Sequence, residues 1–429
     1  MTLDITPPTL VTPFTIGSLE LGGRLVKSAT HETRATEDGT VTESLIGFYE
    51  PMVRGGTPLI ITGNMFVSWQ AKSAYKQAGI NDDAKIPGLR DWAQMVHDGG
   101  GKLFAQLNHG GRQMTKPAPG IDQAVSASTV REMAQGTKPR ALRIDEMPEL
   151  IESFAAAAYR AQEAGMDGVQ VQAAHGYLLS QFLSPYTNRR TDEYGGSLAN
   201  RMRLPMMIIR AVRERVGDGF PVIVKINGTD TIPFVGVDLD EQVTVALAMQ
   251  DAGVDAVEVS RGHFSSFPST TSGNFKGYAT AQVKNGAMRD ASSIRKFGMR
   301  ALAPILEPVM SHAWPASEGY NLPQARAFKD ALSIPVLCVG GFKTPSVMQA
   351  ALTDGHCDAI SVGRALIADP YLYRHLTTPD PTAPVCNFCN RCIGVAGGLQ
   401  IACYEGEVSS LRNRMLRADN EQTIREQTA

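Results

Sequence analysis

Short runs of apolar, often β-branched residues alternate with helical patterns along almost the whole chain. Eight of these runs have the length and composition of buried strands. They are residues 24–28, 58–62, 102–107, 168–172, 221–226, 255–260, 335–340 and 358–363. Most are followed by a segment with helical spacing, and this alternation favours an α/β fold with a parallel sheet. Eight repeats predict a closed (β/α)8 TIM barrel.

Several helical segments carry start and stop signals of their own. Ser197 is a suitable N-cap for a helix in which Met202, Ile209 and Val212 share one face, and Gly217 is a suitable end. Segments 148–165, 238–252 and 344–354 have similar patterns, and each turns into the next predicted strand. These segments are therefore predicted to be barrel helices.

The chain of 429 residues is longer than a barrel core, which uses about 250. Residues 14–25 predict a hairpin that caps the bottom of the barrel. Residues 261–320 are too many for a simple loop after strand 6 and predict a lid insertion. We expect a barrel domain over 1–378, including that lid, and a cysteine-rich extension over 379–429. The charged tail after Ser409 is expected to be frayed.

Composition and charge exclude some functions. Hydrophobic residues make up 43% of the chain and charged residues 20%, as in ordinary globular proteins. The net charge of -2 gives no reason to expect binding to nucleic acid or to acidic membranes. No apolar run is long enough for a spanning helix, and the first residues do not have the pattern of a secretory signal. We expect a cytoplasmic protein with a small-molecule substrate. Whether the chain forms a homo-oligomer is left open by the sequence.

In barrel enzymes the functional groups gather at the carboxyl ends of the strands. Residues at or just after seven of the predicted strand ends, most of them polar or glycine, are candidates for this reason. They are Ser28, Ala29, Thr30, His31, Gly63, Asn64, Gln106, His109, Gln172, His175, Tyr177, Lys225, Gly340, Gly341, Gly363 and Arg364. The glycine turns after the last two strands are typical of a phosphate site, where Arg364 could add a charge-assisted hydrogen bond.

Each polar candidate also has a structural interpretation. A histidine after a strand is most often a satisfied structural residue, and packing explains His109 better than chemistry does. Tyr177 could be a buried tyrosine with a backbone partner, and His31 a polar loop residue. Lys225 is different, because a lysine inside an apolar strand is costly to bury without an anionic partner.

Several stretches of the chain together resemble the Old Yellow Enzyme family of FMN-dependent oxidoreductases. They are HGYLLSQFLSPYTNRRTDEYGGSLANR (175–201), AQLNHGGRQ (105–113), LIITGN (59–64) and AISVGRALIADP (359–370). The resemblance runs from about residue 13 to about residue 376. It implies FMN at the barrel mouth, reduced by NAD(P)H.

The resemblance also implies individual roles. The FMN phosphate would lie at Gly340, Gly341, Gly363 and Arg364. Gln106 would bond the pyrimidine edge of the flavin, and Lys225 would lie near N1 and O2. The residues implied to line the ring system are Ser28, Ala29, Thr30 and Asn64, and His31 and Gly63 are further candidates for cofactor binding.

The implied activity is the reduction of activated C=C bonds, with hydride from flavin N5. Gln172 and His175 would hold the substrate carbonyl, and Tyr177 would donate the proton. Gln172 stands where the family usually has histidine, and an amide cannot become a cation, so the preferred substrate is open. A dienoyl-thioester reductase, an amine demethylase and a flavin-free lyase with a Lys225 Schiff base are the alternatives.

Four cysteines crowd into the C-terminal extension with the spacing C-x2-C-x2-C-x10-C. They are Cys386, Cys389, Cys392 and Cys403. This pattern suits one tetrahedral thiolate site, holding a [4Fe–4S] cluster or zinc, and a metal-free loop is the alternative. Cys338 and Cys357 lie in apolar surroundings and are expected to be small core residues.

Overall fold

The computed structural model describes residues 8–114, 118–133, 136–231, 236–263 and 269–428, and part of the predicted lid (264–268) lies outside these ranges. The strands are β1 (Phe14–Ile16), β2 (Leu19–Leu21), β3 (Leu25–Lys27), β4 (Leu59–Phe66), β5 (Lys102–Asn108), β6 (Val125–Ser126), β7 (Arg140–Ala141), β8 (Gly168–Gln172), β9 (Val222–Asn227), β10 (Ala256–Ser260), β11 (Val336–Val339) and β12 (Ala359–Val362). Strands β3, β4, β5, β8, β9, β10, β11 and β12 follow one another around a closed parallel barrel. The predicted (β/α)8 barrel is confirmed.

The helices are α1 (Glu43–Arg54), α2 (Ile86–Asp98), α3 (Met147–Glu163), α4 (Leu178–Leu183), α5 (Leu198–Val216), α6 (Leu239–Asp251), α7 (Tyr278–Asn285), α8 (Ser293–Ala313), α9 (Leu322–Ala331), α10 (Pro345–Thr353), α11 (Arg364–Ala368), α12 (Leu372–Thr377), α13 (Arg391–Gly394) and α14 (Gly406–Thr428). Ser197 accepts a hydrogen bond from the backbone N–H of Asn200, and Gly217 ends α5 with a φ of 73°. Both predicted caps are confirmed. No helix among the described residues is both long enough and apolar enough to cross a membrane.

The interior of the barrel has an apolar bottom and a polar top. Inward-facing apolar side chains such as Phe104, Ile223 and Leu337 pack against the β1–β2 hairpin, which caps the lower end as predicted. Inward positions along a strand recur every two residues. The position above Phe104 is therefore Gln106, and the position above Ile223 is Lys225. The two-residue period of the strands therefore places a layer of polar side chains at the barrel mouth.

The predicted insertion after β10 contains helices α7 and α8, which pack against each other. Carboxylate oxygens of Glu307 on α8 accept hydrogen bonds from the backbone N–H groups of Gly277 and Ala279, at 2.8 Å each. The backbone N–H of Asn274 also donates to the carbonyl of Phe388 in the C-terminal extension. The insertion and the extension are thus joined.

The expectation of a frayed tail after Ser409 is wrong. Residues 406–428 form helix α14. The carboxylate of Asp419 lies 2.9 Å from Arg54 Nε and accepts a hydrogen bond from the hydroxyl of Tyr371. This ion pair and hydrogen bond tie the charged helix to α1 and to the end of the barrel.

Candidate functional site

A cavity of about 260 Å³ opens at the carboxyl ends of the barrel strands. It is lined by Ser28, Ala29, Thr30, Gln113, His175, Tyr177, Lys225, Ser260, Thr270, Thr271, Tyr320, Val339, Gly341, Phe342, Ser361, Val362, Gly363, Arg364, Ala365, Phe388 and Ile393. The candidates Ser28, Ala29, Thr30, His175, Tyr177, Lys225, Gly341, Gly363 and Arg364 are therefore brought together at one opening. Its volume lies near the lower end of the range for small-molecule sites.

One side of the cavity is built from a buried network around Glu258. Lys225 Nζ lies 3.0 Å from Glu258 Oε2, and the two side chains are 3% and 0% exposed. Lys225 Nζ also donates to Ser28 Oγ, and Ser28 Oγ donates to Glu258 Oε1 at 2.7 Å. Burial favours the neutral acid, but Lys225, Ser28 and Gln170 outweigh it and lower the pKa of Glu258. Lys225 has the anionic partner that its burial requires.

The same carboxylate orients two buried amides. Gln170 Nε2 donates to Glu258 Oε2 at 2.7 Å, and Gln106 Nε2 donates to Gln170 Oε1 at 2.7 Å. Because a carboxylate only accepts, Gln170 must present its NH2 group to Glu258 and its oxygen to Gln106. The Gln106 oxygen makes no hydrogen bond within the described residues.

His175 lies on the cavity wall in a strained backbone conformation. Its φ is 62°, in the left-handed region, and its backbone carbonyl accepts a hydrogen bond from Gln113 Nε2 at 2.7 Å. The ring Nε2 lies 2.7 Å from Ser260 Oγ. Burial, with a smaller effect of Lys225, lowers the pKa of His175 to about 3. The imidazole is therefore neutral, and a strained non-glycine residue at a cavity is typical of a functional position.

Tyr177 lies two residues further on, at the start of α4. Burial raises the pKa of its phenol to about 12, and the facing Asn64 side chain opposes the shift. The phenol therefore keeps its proton at neutral pH. Asn64 Oδ1 and both ring nitrogens of His31 are buried and have no partner at full hydrogen-bond geometry within the described residues, although Asn64 lies close enough to influence the pKa of both His31 and Tyr177.

The opposite end of the cavity contains the glycine turns after β11 and β12. Gly341 has a φ of 74°, a conformation that favours glycine, and Gly363 directly precedes Arg364. Arg364 Nη1 donates to the carbonyl of Ser272 at 2.6 Å and to Asn390 Oδ1. Arg364 thus ties the cavity to the insertion and to the cysteine-rich extension.

Several candidates lie near the cavity without lining it: Gly63, Gln106, Gln172, Gly340, His31 and Asn64. The backbone N–H of Gly63 donates to Glu32, and a side chain there would meet that carboxylate at 2.0 Å. Gln172 Oε1 accepts a hydrogen bond from the backbone N–H of Ala174 at 3.1 Å, so it stabilises the turn before His175. His109 is buried, and its Nδ1 accepts from the Gly111 N–H, in agreement with its packing interpretation.

Sequence reasoning missed Glu258 and Ser260, both on β10. Neither residue lies at one of the seven strand ends named above. Glu258 at an inward position of a core strand was the available signal, because a buried carboxylate requires a partner such as Lys225. Ser260, as the last residue of β10, met the rule itself.

The four clustered cysteines line one small cavity of about 20 Å³, together with Arg364 and Asn390. Burial raises the pKa of Cys392 to about 12, and the other three thiols contribute. Among the described residues no three His, Cys, Asp or Glu side chains are arranged to hold a metal ion. Cys338 and Cys357 are buried in the core, as expected.

Comparisons with known proteins agree with the barrel fold. The model of the NADH:flavin oxidoreductase / NADH oxidase family matches residues 9–286. An NADPH dehydrogenase of Listeria welshimeri is 30% identical over 335 residues, which cover 78% of this chain and 84% of that protein. An Old Yellow Enzyme homologue from Zymomonas mobilis has a similar structure, with a TM-score of 0.68, 26% identity, and coverage of 89% of this chain and 96% of that one.

Two relatives with higher sequence identity are longer than this chain. An NADH oxidase of Thermoanaerobacter brockii and a metal reductase of Desulforamulus reducens are each 35% identical, over 85% and 89% of this chain. The chain spans about half the length of these two proteins. The family match covers well over half of the chain, and the solved structure matches 89% of it. The chain belongs to the NADH:flavin oxidoreductase / NADH oxidase family, the Old Yellow Enzyme family of FMN-dependent barrel oxidoreductases.

Proposed function

We propose that the chain is an NAD(P)H-dependent FMN oxidoreductase that reduces activated C=C bonds, with His175 as the hydrogen-bond donor to the substrate and Tyr177 as the proton donor. One observation carries this proposal. A neutral imidazole and a phenol held in its protonated form line the same cavity as Lys225 and the Gly363–Arg364 turn. A hydrogen-bond donor and a proton source are what the reduction of an unsaturated carbonyl compound requires.

The polar groups around the cavity fit FMN. Among the described residues, buried polar atoms with no partner at full hydrogen-bond geometry, at Asn64 Oδ1, His31 and Ser361 Oγ, suit a ligand with many donors and acceptors. The cation of Lys225 suits an electron-rich pyrimidine edge, and the Gly341 and Gly363 turns with Arg364 suit a phosphate. Bound FMN would supply the hydride that adds to the substrate double bond.

Ser260 is placed to set the tautomer of His175. When the Ser260 hydroxyl donates to Nε2, the imidazole hydrogen lies on Nδ1, and the ring keeps an N–H donor for a substrate oxygen. Tyr177 then supplies the proton to the substrate carbon. Its elevated pKa keeps the phenol protonated, and the Asn64 side chain lies beside it.

The flavin-free lyase is less well supported. A Schiff-base lysine must become a neutral amine, and such lysines are usually desolvated or placed beside other cations. Lys225 is buried and lies close enough to Lys27 to lower the pKa of that lysine, but it also forms an ion pair with Glu258 at 3.0 Å, which favours the ammonium form. The contacts of Lys225 therefore favour a fixed cation.

The first test is cofactor retention by purified protein. We expect noncovalent FMN at about one per chain, released by heat and identified by chromatography. Arg364→Ala should weaken retention about 10- to 100-fold, because a hydrogen bond to a charged group contributes about 1.5–3 kcal/mol. Recovery of FAD, or of no flavin after reconstitution with FMN, would contradict the proposal.

Arg364 also holds the loop around Asn390, so a control must separate the two roles. Asn390→Gly removes the side chain that accepts from Arg364 and tolerates the left-handed φ of 54° at that position. This variant should keep its FMN. Equal loss of FMN from Asn390→Gly and Arg364→Ala would mean that Arg364 acts through the loop and not through the phosphate.

We further propose a [4Fe–4S] cluster or zinc at Cys386, Cys389, Cys392 and Cys403, on the basis of their spacing and their common cavity. A cavity of about 20 Å³ has room for about one water-sized group, so a cluster would require the loop to open. Anaerobically purified protein should contain about four iron and four sulfide per chain for a cluster, or about one zinc. Four readily titrated thiols with neither metal would establish the metal-free loop.

A further inference from the structure

Helix α8 in the insertion after β10 is amphipathic in the opposite sense to a barrel helix. None of its residues is buried. The side chains of Ile294, Phe297 and Ile305 are 83%, 75% and 66% exposed, and those of Leu302, Leu306 and Val309 are also exposed. These six residues recur at helical spacing and form one apolar stripe on the outer face.

Two polar residues of α8 anchor the helix to the molecule. Glu307 accepts hydrogen bonds from the N-terminal backbone of α7, and Ser311 Oγ accepts one from the backbone N–H of Phe275 at 3.0 Å. Through these contacts the face of α8 that carries Glu307 and Ser311 is turned inward, and the apolar stripe stays in solvent. The orientation is therefore set by specific hydrogen bonds.

The stripe is as large as an interface. Six large apolar side chains at these exposures present roughly 700 Å², above the roughly 300–600 Å² of the largest patch on a typical monomer. Each partner in a standard protein interface contributes about 800 Å². The stripe alone nearly supplies that area.

The order of residues along the stripe is self-complementary. If a second α8 runs antiparallel, with the twofold axis between Ala301 and Leu302, Ile294 faces Val309 of the second copy and Phe297 faces Leu306. Ile305 then faces Gly298 of the second copy. A side chain placed on Gly298 would meet nothing within 4 Å, so the space above this residue is open and can receive Ile305.

We propose that the apolar stripe of α8 is a homodimer interface, in which two copies of the chain pair their α8 helices antiparallel about the 301–302 step. Such an interface is isologous, because each contact occurs twice across the twofold axis. Antiparallel pairing also places the N-terminal end of each helix dipole beside the C-terminal end of the other, which is favourable. The matched register distinguishes a second copy from a lipid surface, which would accept any apolar stripe.

The test is sedimentation velocity on the full-length chain, with flavin absorbance as the check on folding. The wild type should be a dimer at micromolar concentration. Ile305→Glu should raise the dimer dissociation constant by about 100-fold or more, as expected for a central interface residue. Gly298→Leu should do the same by filling the open space. Leu247→Glu, at an exposed leucine of α6, should leave the dimer unchanged.

A charge pair tests the register. Ile294→Lys and Val309→Glu should each give monomers, and the double variant should dimerise again, because the two new charges face each other across the twofold axis. A monomeric wild type, or a double variant that stays monomeric, would overturn the proposal. Binding of the wild type but not Ile305→Glu to anionic lipid vesicles, without dimers, would overturn it in favour of a membrane surface.

Discussion

Tyr177→Phe is expected to slow the reduction of an activated alkene about 10²- to 10⁴-fold, the usual contribution of a positioned general acid. The substitution removes the phenol hydroxyl of Tyr177, and burial raises the pKa of this group to about 12. The ring remains, so the packing at the start of α4 should persist. Reduction by NAD(P)H needs no proton from this phenol and should be nearly unchanged. Anaerobic stopped-flow measurement of the two half-reactions checks this difference.

Tyr320→Phe is the matched control, because Tyr320 lines the same cavity and its ring is held under the guanidinium of Arg261 at 3.8 Å. It should affect neither half-reaction by more than a few-fold. With wild-type protein the alkene step should be independent of pH from about 6 to about 10, since Tyr177 stays protonated throughout that range. Equal slowing of both half-reactions by Tyr177→Phe would contradict the assignment.

The barrel could be predicted from the sequence because its signal is repeated. Eight apolar runs, each ending in a turn, specify the alternation of strands and helices, and single errors at a boundary do not change it. β4, for example, continues to Phe66, four residues beyond the predicted end. The tail after Ser409 lacked such a signal. Its helix is held by Asp419, Arg54 and Tyr371, which are distant in sequence, so local composition could not reveal it.

The candidate site could be predicted in part for a related reason. Position at a strand end identified His175, Tyr177 and Lys225, because the fold delivers such residues to one mouth. It could not show that Gln172 bonds its own turn, since that depends on a rotamer. The sequence predicts that Lys225 has an anionic partner, but it does not say which residue that partner is. Only the register of β9 with β10 places Glu258 opposite Lys225.

The ion pair between Lys225 and Glu258 leads to the largest expected effect on stability. Lys225→Met leaves the Glu258 carboxylate fully buried without its cation, and breaking a buried pair in this way typically costs about 3–5 kcal/mol. Adding Glu258→Gln should recover most of that loss, because a neutral amide can still bond Gln170 and Ser28. Lys329→Met is the matched surface control: its ammonium lies 2.8 Å from Asp358 in a half-exposed pair, whose loss should cost about 0–1 kcal/mol. Urea unfolding of flavin-free protein measures all three.

The pH dependence of the Lys225→Met deficit tests its cause. In the wild type the folded-state pKa of Glu258 is lowered, so the pair stabilises the fold above the unfolded pKa, and this stability is lost as the pH falls. Without Lys225, burial should raise the same pKa, so the variant loses stability as the pH rises through the unfolded value of about 4.3. Both effects have the same sign. The difference in unfolding free energy between wild type and variant should therefore grow from about pH 4 to about pH 7. A difference that does not change over this range would mean that lost packing, and not the unpaired carboxylate, destabilises the variant.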